Sequence, residues 1–387
     1  MFLSNERAKQ LYNQAGGPVF VYDRVGLKER AKELMGLDMP FGLTVRYAVK
    51  ANSFPEIIKL FDAEGLHFDA SSGYEADMLM DLGVNGSKIS LSSQQSAHNL
   101  PELLKKGVRY VATSMHQLEL FSAAAGEGTE VALRINPGVG DGHSNRTNTG
   151  GVTSSYGIWY EYLDKALGFA KHNRITINRL HLHIGSGADR SIWANVMDIA
   201  LDLLRQMPEV TMLDIGGGYK VSRAAHEHET DMRVVGEVFA EKLQVFYDET
   251  GRQIKLEIEP GNWLVTHAGI LLAEVVDIVD TGEEGYNFLR LNTGMNDFIR
   301  AAMFGAWHEL IIMNDSKQRE EYVVVGHCCE SSDVFTTVVG NPELIEPRLL
   351  NKASIGDLIA ILDTGSYCAH WSTKGYNSFP SAKEVLI

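Results

Sequence analysis

Lys50 closes the run Arg46-Tyr47-Ala48-Val49-Lys50, in which four residues of strand character precede an amine. A lysine at the C-terminal end of a buried strand can be desolvated. Desolvation lowers the pKa of the ammonium and frees the amine to form a Schiff base with an aldehyde. Gly216-Gly217-Gly218 follows the apolar run Met212-Leu213-Asp214-Ile215. Adjacent glycines let backbone amides approach an anion such as a phosphate. The dinucleotide fingerprint G-x-G-x-x-G with a later acidic partner is not matched. Glu257-Ile258-Glu259-Pro260-Gly261 ends a further strand, and the period of two puts Glu257 and Glu259 on one face. A buried carboxylate needs a proton or a cation as partner, and a protonated pyridine nitrogen supplies one.

His181-Leu182-His183-Ile184-Gly185-Ser186 carries two histidines at strand spacing. Metal binding is the first rival reading of that pair, but zinc requires a third ligand and no H-E-x-x-H motif occurs. A flat imidazole stacked on an aromatic cofactor explains the pair as well, and the expectation is no metal. Cys328-Cys329-Glu330 lies further on. Adjacent cysteines on a regular strand cannot both point into one site.

These groups need a scaffold. Short β-like runs alternate with helical stretches through the first two-thirds of the chain: 46–50, 68–70, 88–91, 110–113, 131–135, 179–184, 212–215 and 255–258. Helical spacing appears over 53–64, with Ile57, Ile58, Leu60 and Phe61, and over 73–82. About eight strands with helical crossovers predict a (β/α)8 barrel, with a doubly wound sheet as runner-up. From residue 263 the pattern changes to β-branched runs, at 270–279, 322–325, 335–339 and 357–362. This predicts a mostly antiparallel β domain, which 18–22 could join. The expected division is a barrel over 25–262 and a β-rich domain from 1–24 and 263–387.

The chain has 387 residues, 44% of them apolar, and a formal net charge of −15. The negative balance argues against nucleic acid and anionic membrane as partners. No signal peptide and no membrane-length apolar run is visible. Three cysteines without framework spacing suggest a reducing compartment, so a cytoplasmic enzyme is expected.

Taken together, the ordered segments Tyr47–Asn52, Arg134-Ile135-Asn136-Pro137, His181–Ser186, Gly216–Gly218, Glu259-Pro260-Gly261, Gly294–Glu309, Cys329–Asp333 and Tyr376-Asn377-Ser378 resemble the alanine-racemase-like (fold type III) pyridoxal-phosphate decarboxylases. Within that group the chain is most similar to the diaminopimelate decarboxylases. The segment from Thr149-Gly150-Gly151 through Tyr156-Gly157-Ile158 looks like that family's mobile loop.

The resemblance implies pyridoxal 5'-phosphate on Lys50, His183 stacked on its ring, and Glu259 at the ring nitrogen. It implies Ser186, Gly217, Gly218 and Tyr376 near the phosphate, with Asp69, Arg134 and Gly261 in the same cofactor-binding set. Arg300 would bind a substrate carboxylate. Cys329 and Glu330 would reach into a partner's site, making a homodimer with shared active sites, and Tyr376 also belongs to the substrate set. The implied reaction takes meso-2,6-diaminopimelate to L-lysine. The alternatives are a decarboxylase of another diamino acid or of an amino-acid conjugate, as in siderophore or antibiotic assembly, and a racemase on the same fold. Three positions depart from the family pattern: Asn262 and Phe379 stand where arginine is usual, and Phe304 where tyrosine is usual. Asn cannot reproduce the bidentate contact of a guanidinium with a carboxylate.

Overall fold

The computed structural model describes residues 2–139, 150–183, 186–224 and 227–387. Thr149 of the family-like loop, and Ile184 and Gly185 of the histidine segment, lie outside the described residues.

Eight parallel strands close on themselves. In ring order they are Leu43–Ala48, His67–Ala70, Ile89–Ser92, Arg109–Ala112, Glu130–Asn136, Thr176–His181, Met212–Asp214 and Lys255–Ile258. Lys255–Ile258 then pairs with Leu43–Ala48 through Leu256↔Leu43, Glu257↔Thr44 and Ile258↔Val45. The pairing Val111↔Ala132 continues the ring where an open sheet would end. Closure settles the choice between barrel and doubly wound sheet.

Helices cover the outside for local reasons. Pro55–Ala63 starts on a proline, whose fixed φ and missing N–H suit a first turn. It buries Ile57, Ile58, Leu60 and Phe61 against the barrel. Gly73–Asp81 is capped by Ser72, whose hydroxyl accepts the N–H of Glu75, while Glu75 reaches back to the N–H of Ser71 at 2.6 Å. That reciprocal cap fixes the Ser71-Ser72 turn just beyond the strand that carries Asp69.

The remaining strands form a second, mostly antiparallel sheet. Its central strand, Gly269–Asp280, is flanked by Leu358–Ile361 and Asn287–Leu291. Val19–Tyr22 pairs antiparallel with Gly269–Asp280, and Lys383–Leu386 pairs parallel with Val19–Tyr22. Asn287–Leu291 and Arg319–Val325 are also parallel. The strand expected over 335–339 is reduced to Thr337–Val338. One apolar core runs from barrel residues such as Phe61 and Phe121 to Leu271, Leu289 and Ile359 of the sheet. No described helix is long and apolar enough to cross a membrane.

Candidate active site

The C-terminal ends of the barrel strands converge on one cavity of about 320 Å³, the size class of small-molecule sites. Lys50, Asp69, Arg134, His181, His183 and Glu259 line it, together with the Ser71-Ser72 turn, the segment from Ser92 to Gln95, and Tyr156. The ladder explains the convergence. Arg134 is in register with His181, His181 with Asp214, and Asp214 with Glu257. One row of polar side chains therefore crosses four adjacent strands, and Glu259 follows two residues after Glu257, on the same face.

Lys50 lies just past the strand end expected for it. The strand stops at Ala48, and a 3₁₀ turn over Val49–Ala51 carries the lysine. Three bonds fix that turn: Tyr47 Oη donates to Asn52 O at 2.7 Å, Asn52 Nδ2 to Gly365 O at 2.9 Å, and Tyr367 N to Ala51 O at 2.8 Å. Gly261 packs on its back, where an added Cβ would stand 3.1 Å from Ala51 Cβ.

The lysine's ionisation corrects the sequence-based expectation. Burial does pull its pKa down, but Asp69, followed by Tyr367 and Glu259, outweighs burial, and the net shift is upward. The Nζ is 3.9 Å from Asp69 Oδ2, and 48% of the side chain remains open. The amine is thus held as a cation by its carboxylate neighbour. Asp69 itself is pushed up to about 6 by burial and by the charge of Glu259.

Opposite the lysine is a buried cluster of His181, Asp214 and Glu259, whose ligating atoms all lie within 4.8 Å of one another. Burial first, then Glu259, pushes Asp214 up to about 8. Burial lowers His181 to about 4, so its imidazole is neutral at physiological pH. Glu259 Oε1, Asp69 Oδ1, Arg134 Nη2 and both ring nitrogens of His181 are buried without a hydrogen-bond partner. Buried polar atoms are rarely left so, and orphans on one cavity wall mark where a polar ligand belongs. A pyridinium N–H suits the unpaired Glu259 Oε1, and the cavity that His183 and Arg134 help to line has room for a flat ring. On this donor set pyridoxal phosphate fits.

His183 sits beyond the end of its strand, which stops at His181, so the two histidines do not share a regular strand face. Its Nδ1 accepts the N–H of Gly217 at 3.0 Å, which places the ring proton on Nε2. The glycine turn therefore has a packing reason that the sequence did not reveal. At Gly216, with φ of +70°, a Cβ would stand 2.4 Å from His183 Nδ1. At Gly217 a Cβ would stand 2.2 Å from Glu259 O. Ser186 precedes Gly187, whose N–H donates to Gly218 O at 3.2 Å, so the serine and the glycine turn are neighbours.

Eight predicted residues are not part of the cavity lining: Ser186, Gly217, Gly218 and Gly261, which belong to the turns next to it, and Arg300, Cys329, Glu330 and Tyr376. The last three form their own group in the β-rich part. Tyr376 Oη donates to Glu330 Oε2 at 3.4 Å, and Asn377 Oδ1 accepts the N–H of Cys329 at 2.7 Å. Cys329 is exposed and Cys328 buried, so the adjacent cysteines do point apart. Arg300 donates from Nε to His308 Nε2 at 3.4 Å. The departures from the family pattern have apolar or unpaired settings. Phe304 stacks on Trp371 at 5.3 Å, Phe379 stacks on His327 at 3.6 Å, and Asn262 Oδ1 is buried without a partner.

Sequence reasoning did not single out Asp214, the Ser71-Ser72 turn, Gln94 or Tyr156. Asp214 carried a usable signal, since it immediately precedes the apolar residue leading into Gly216–Gly218. Beneath the cavity, Glu257 is not a second active-site acid. It accepts two bonds from Arg46, at 3.0 and 2.8 Å, and one from Arg179 at 2.6 Å.

Residues 27–266 match the family described as "Pyridoxal-dependent decarboxylase, pyridoxal binding domain". The chain is 33% identical to a diaminopimelate decarboxylase of Streptomyces coelicolor, over 96% of this chain and 84% of that one. It is 32% identical to a diaminopimelate decarboxylase of Escherichia coli K12, over 100% and 92%. A solved diaminopimelate decarboxylase superposes with a TM-score of 0.90 at 30% identity, covering 100% of this chain and 93% of that one. That of M. jannaschii, in co-complex with L-lysine, gives 0.87 at 25% identity, over 98% and 89%. With its closed barrel, its amine beside a buried acid and these relatives, the chain belongs to the diaminopimelate decarboxylase family of pyridoxal-dependent decarboxylases.

Proposed function

We propose that this chain removes one α-carboxyl group of meso-2,6-diaminopimelate as CO2, yielding L-lysine, at active sites shared between two copies of the chain in the cytoplasm. The observation that carries the reading is the convergence of Lys50, Asp69, Arg134, His183 and Glu259 on one cavity with unsatisfied polar atoms. The L-lysine in the M. jannaschii relative supports the product. On the same reading, 25–262 is the cofactor-binding unit, and 1–24 with 263–387 is the β-rich unit.

When bound, pyridoxal phosphate supplies an electron-poor ring that accepts the electron pair of the breaking C–C bond. The protein's part is attachment, orientation and charge. Lys50 would offer its amine to the aldehyde after its ammonium has lost a proton, with water as the leaving group, and Asp69 pairs with the cation until then. Glu259 supplies the buried carboxylate for the ring nitrogen. This is electrostatic stabilisation fixed before the reaction begins. His183, oriented by the N–H of Gly217, offers a flat neutral face for the ring. Ser186, Gly218 and Tyr376 serve the phosphate, with Gly217 shaping the turn, and Gly261 and Arg134 complete the cofactor set. Arg300 binds a substrate carboxylate. Cys329 returns the proton to Cα from the partner copy, alongside the partner's contribution at Glu330. The exposure of Cys329, Glu330 and Tyr376 outside the Lys50 cavity favours that shared arrangement.

A second reading keeps the reaction and changes the far end of the substrate to a neutral or conjugated group. The side-chain oxygen of Asn262, buried without a partner among the described residues, favours it.

Cofactor-loaded protein assayed for CO2 release from meso-diaminopimelate, lysine, ornithine and arginine separates these readings. Release from diaminopimelate alone is expected, and release from none refutes the assignment. Lys50→Ala should lose covalent retention of the cofactor after borohydride reduction. Mixing Lys50→Ala with Cys329→Ala should restore activity that neither has alone, and failure to do so would refute shared sites.

A further inference from the structure

We propose that Arg223 is a specificity-determining residue that, with Arg300, holds the carboxylate of the substrate that is not lost. This rests on the dicarboxylate reading given above. The chain has 50 acidic against 35 basic residues, yet among the described residues no carboxylate lies within 4.0 Å of either guanidinium. The nearest acids are engaged elsewhere. Glu227 Oε2 accepts the backbone N–H of Arg223 at 2.6 Å, and Asp363 Oδ1 pairs with His267 Nδ1 at 2.7 Å.

Arg223 Nη2 is held by two neutral hydroxyls, Thr266 Oγ1 at 3.3 Å and Ser366 Oγ at 3.2 Å, while its Nε is buried with no partner. Among the described residues the Arg300 guanidinium bonds to His308 alone, and burial, together with the two arginines, holds that imidazole well below its usual range, so the partner is neutral. Burial, and next the charge of Arg300, pushes Arg223 down to about 10. Arg223 bonds to Ser366, and Arg300 reaches Leu362 of the same segment through His308, so the two guanidiniums sit on one stretch of chain without a counter-charge among the described residues, and a carboxylate between them relieves both. It also gives the orphaned Nε an acceptor.

The position suits the reaction. Ser366, which holds Arg223, adjoins Tyr367, whose N–H donates to Ala51 O next to Lys50. Asn52 donates to Gly365 O of the same turn. The 365–367 turn therefore bonds both to the Lys50 turn and to Arg223, which places the arginine one turn away from the lysine that meets the reacting end of the substrate. Asn262 lies on the same side: its carbonyl accepts Thr266 Oγ1 at 2.8 Å, the hydroxyl that also accepts from Arg223.

The test uses cofactor-loaded protein and pimelate, a dicarboxylate that cannot react. Pimelate binding is measured by titration calorimetry, and KM and kcat for diaminopimelate are measured beside it. Arg223→Gln should weaken pimelate about 10- to 100-fold and raise KM by a similar factor, the loss expected for a hydrogen bond to a charged group. kcat should change far less. Arg223→Lys, which keeps the charge, should fall between the two, and it stands in if the glutamine variant does not fold. Unchanged pimelate affinity in the variant, or no pimelate binding by the wild type, overturns the proposal. Arg223-dependent pimelate binding by a wild type that does not turn over diaminopimelate would sustain this assignment and refute the substrate reading alone.

Discussion

Replacing Glu257 with Gln should remove a large part of the barrel's stability while leaving its shape intact. The carboxylate is fully buried, as is Arg46, and Arg179 is 2% exposed. Arg46 grips it at 3.0 and 2.8 Å and Arg179 at 2.6 Å, while the half-open Arg109 stands at 3.5 Å, where solvent weakens it. At 2.8 Å, unit charges attract by about 6 kcal/mol at an effective dielectric near 20. Much of that gain is cancelled by the cost of taking the charges out of water. The amide keeps one acceptor but leaves two guanidiniums buried without a charge between them. Breaking a buried pair in this way costs about 3–5 kcal/mol, a third or more of the stability of a typical domain.

The pH dependence follows from the direction of the shift. Burial alone would raise the Glu257 pKa, but Arg179 and Arg46 override it and hold the group well below the usual carboxylate range. The folded value is depressed, so the stabilisation is fully present above the unfolded pKa of about 4.3 and is lost only as pH falls through the folded value. The gap between wild type and Glu257→Gln should therefore be constant from about pH 5 upward. Urea unfolding followed by fluorescence at pH 6 and pH 8 measures it. A difference under about 1 kcal/mol, or one that closes between those two pH values, would refute the account of this cluster as the barrel's electrostatic anchor.

Three further outcomes are expected. Glu259→Gln should still retain the cofactor but lower kcat by about 10²–10³, the usual loss for one preorganised electrostatic group; equal turnover would remove Glu259 from its role. Gly217→Ala should impair cofactor binding, because its Cβ would stand 2.2 Å from Glu259 O; a wild-type dissociation constant would show that the turn can yield. His267 is raised to about 9 by its bonds to Asp363 and Glu229, so its contribution to stability is full below pH 6.5 and lost as pH rises through 9. Thermal melts of His267→Gln and wild type should therefore differ at pH 6 and converge above pH 9, and curves that stay parallel would contradict the pairing.

The barrel was legible because each strand is a short apolar run next to a helix with a clear 3.6-residue period, as at 53–64. The amine, the two glutamates and the glycine turn were legible because they fall at strand ends. Some features depend on closure of the ring, and local pattern cannot express it. Arg46 and Arg179 meet Glu257 only across strands far apart in sequence. The charge on Lys50 depends on Asp69 from the neighbouring strand. His183 looked like a strand partner of His181 because Leu182 between them is apolar, but the strand ends first and the bond from Gly217 sets the ring. Arg223 follows a serine in a loop without periodicity, and its lack of a counter-charge becomes visible only when every nearby acid has been assigned.

The pairing of Val19–Tyr22 with Lys383–Leu386 bears on how the chain is made. A ribosome delivers the second of these strands long after the first. Until then Val19–Tyr22 has just one neighbour in reach, Gly269–Asp280, which is itself a late arrival. The barrel can close while synthesis continues, since each of its strands lies beside one made shortly before or after, apart from the final join. The outer sheet must wait. A barrel that closes during synthesis therefore leaves the apolar Val-Phe-Val-Tyr segment without its strand partners until the later strands of the outer sheet are made.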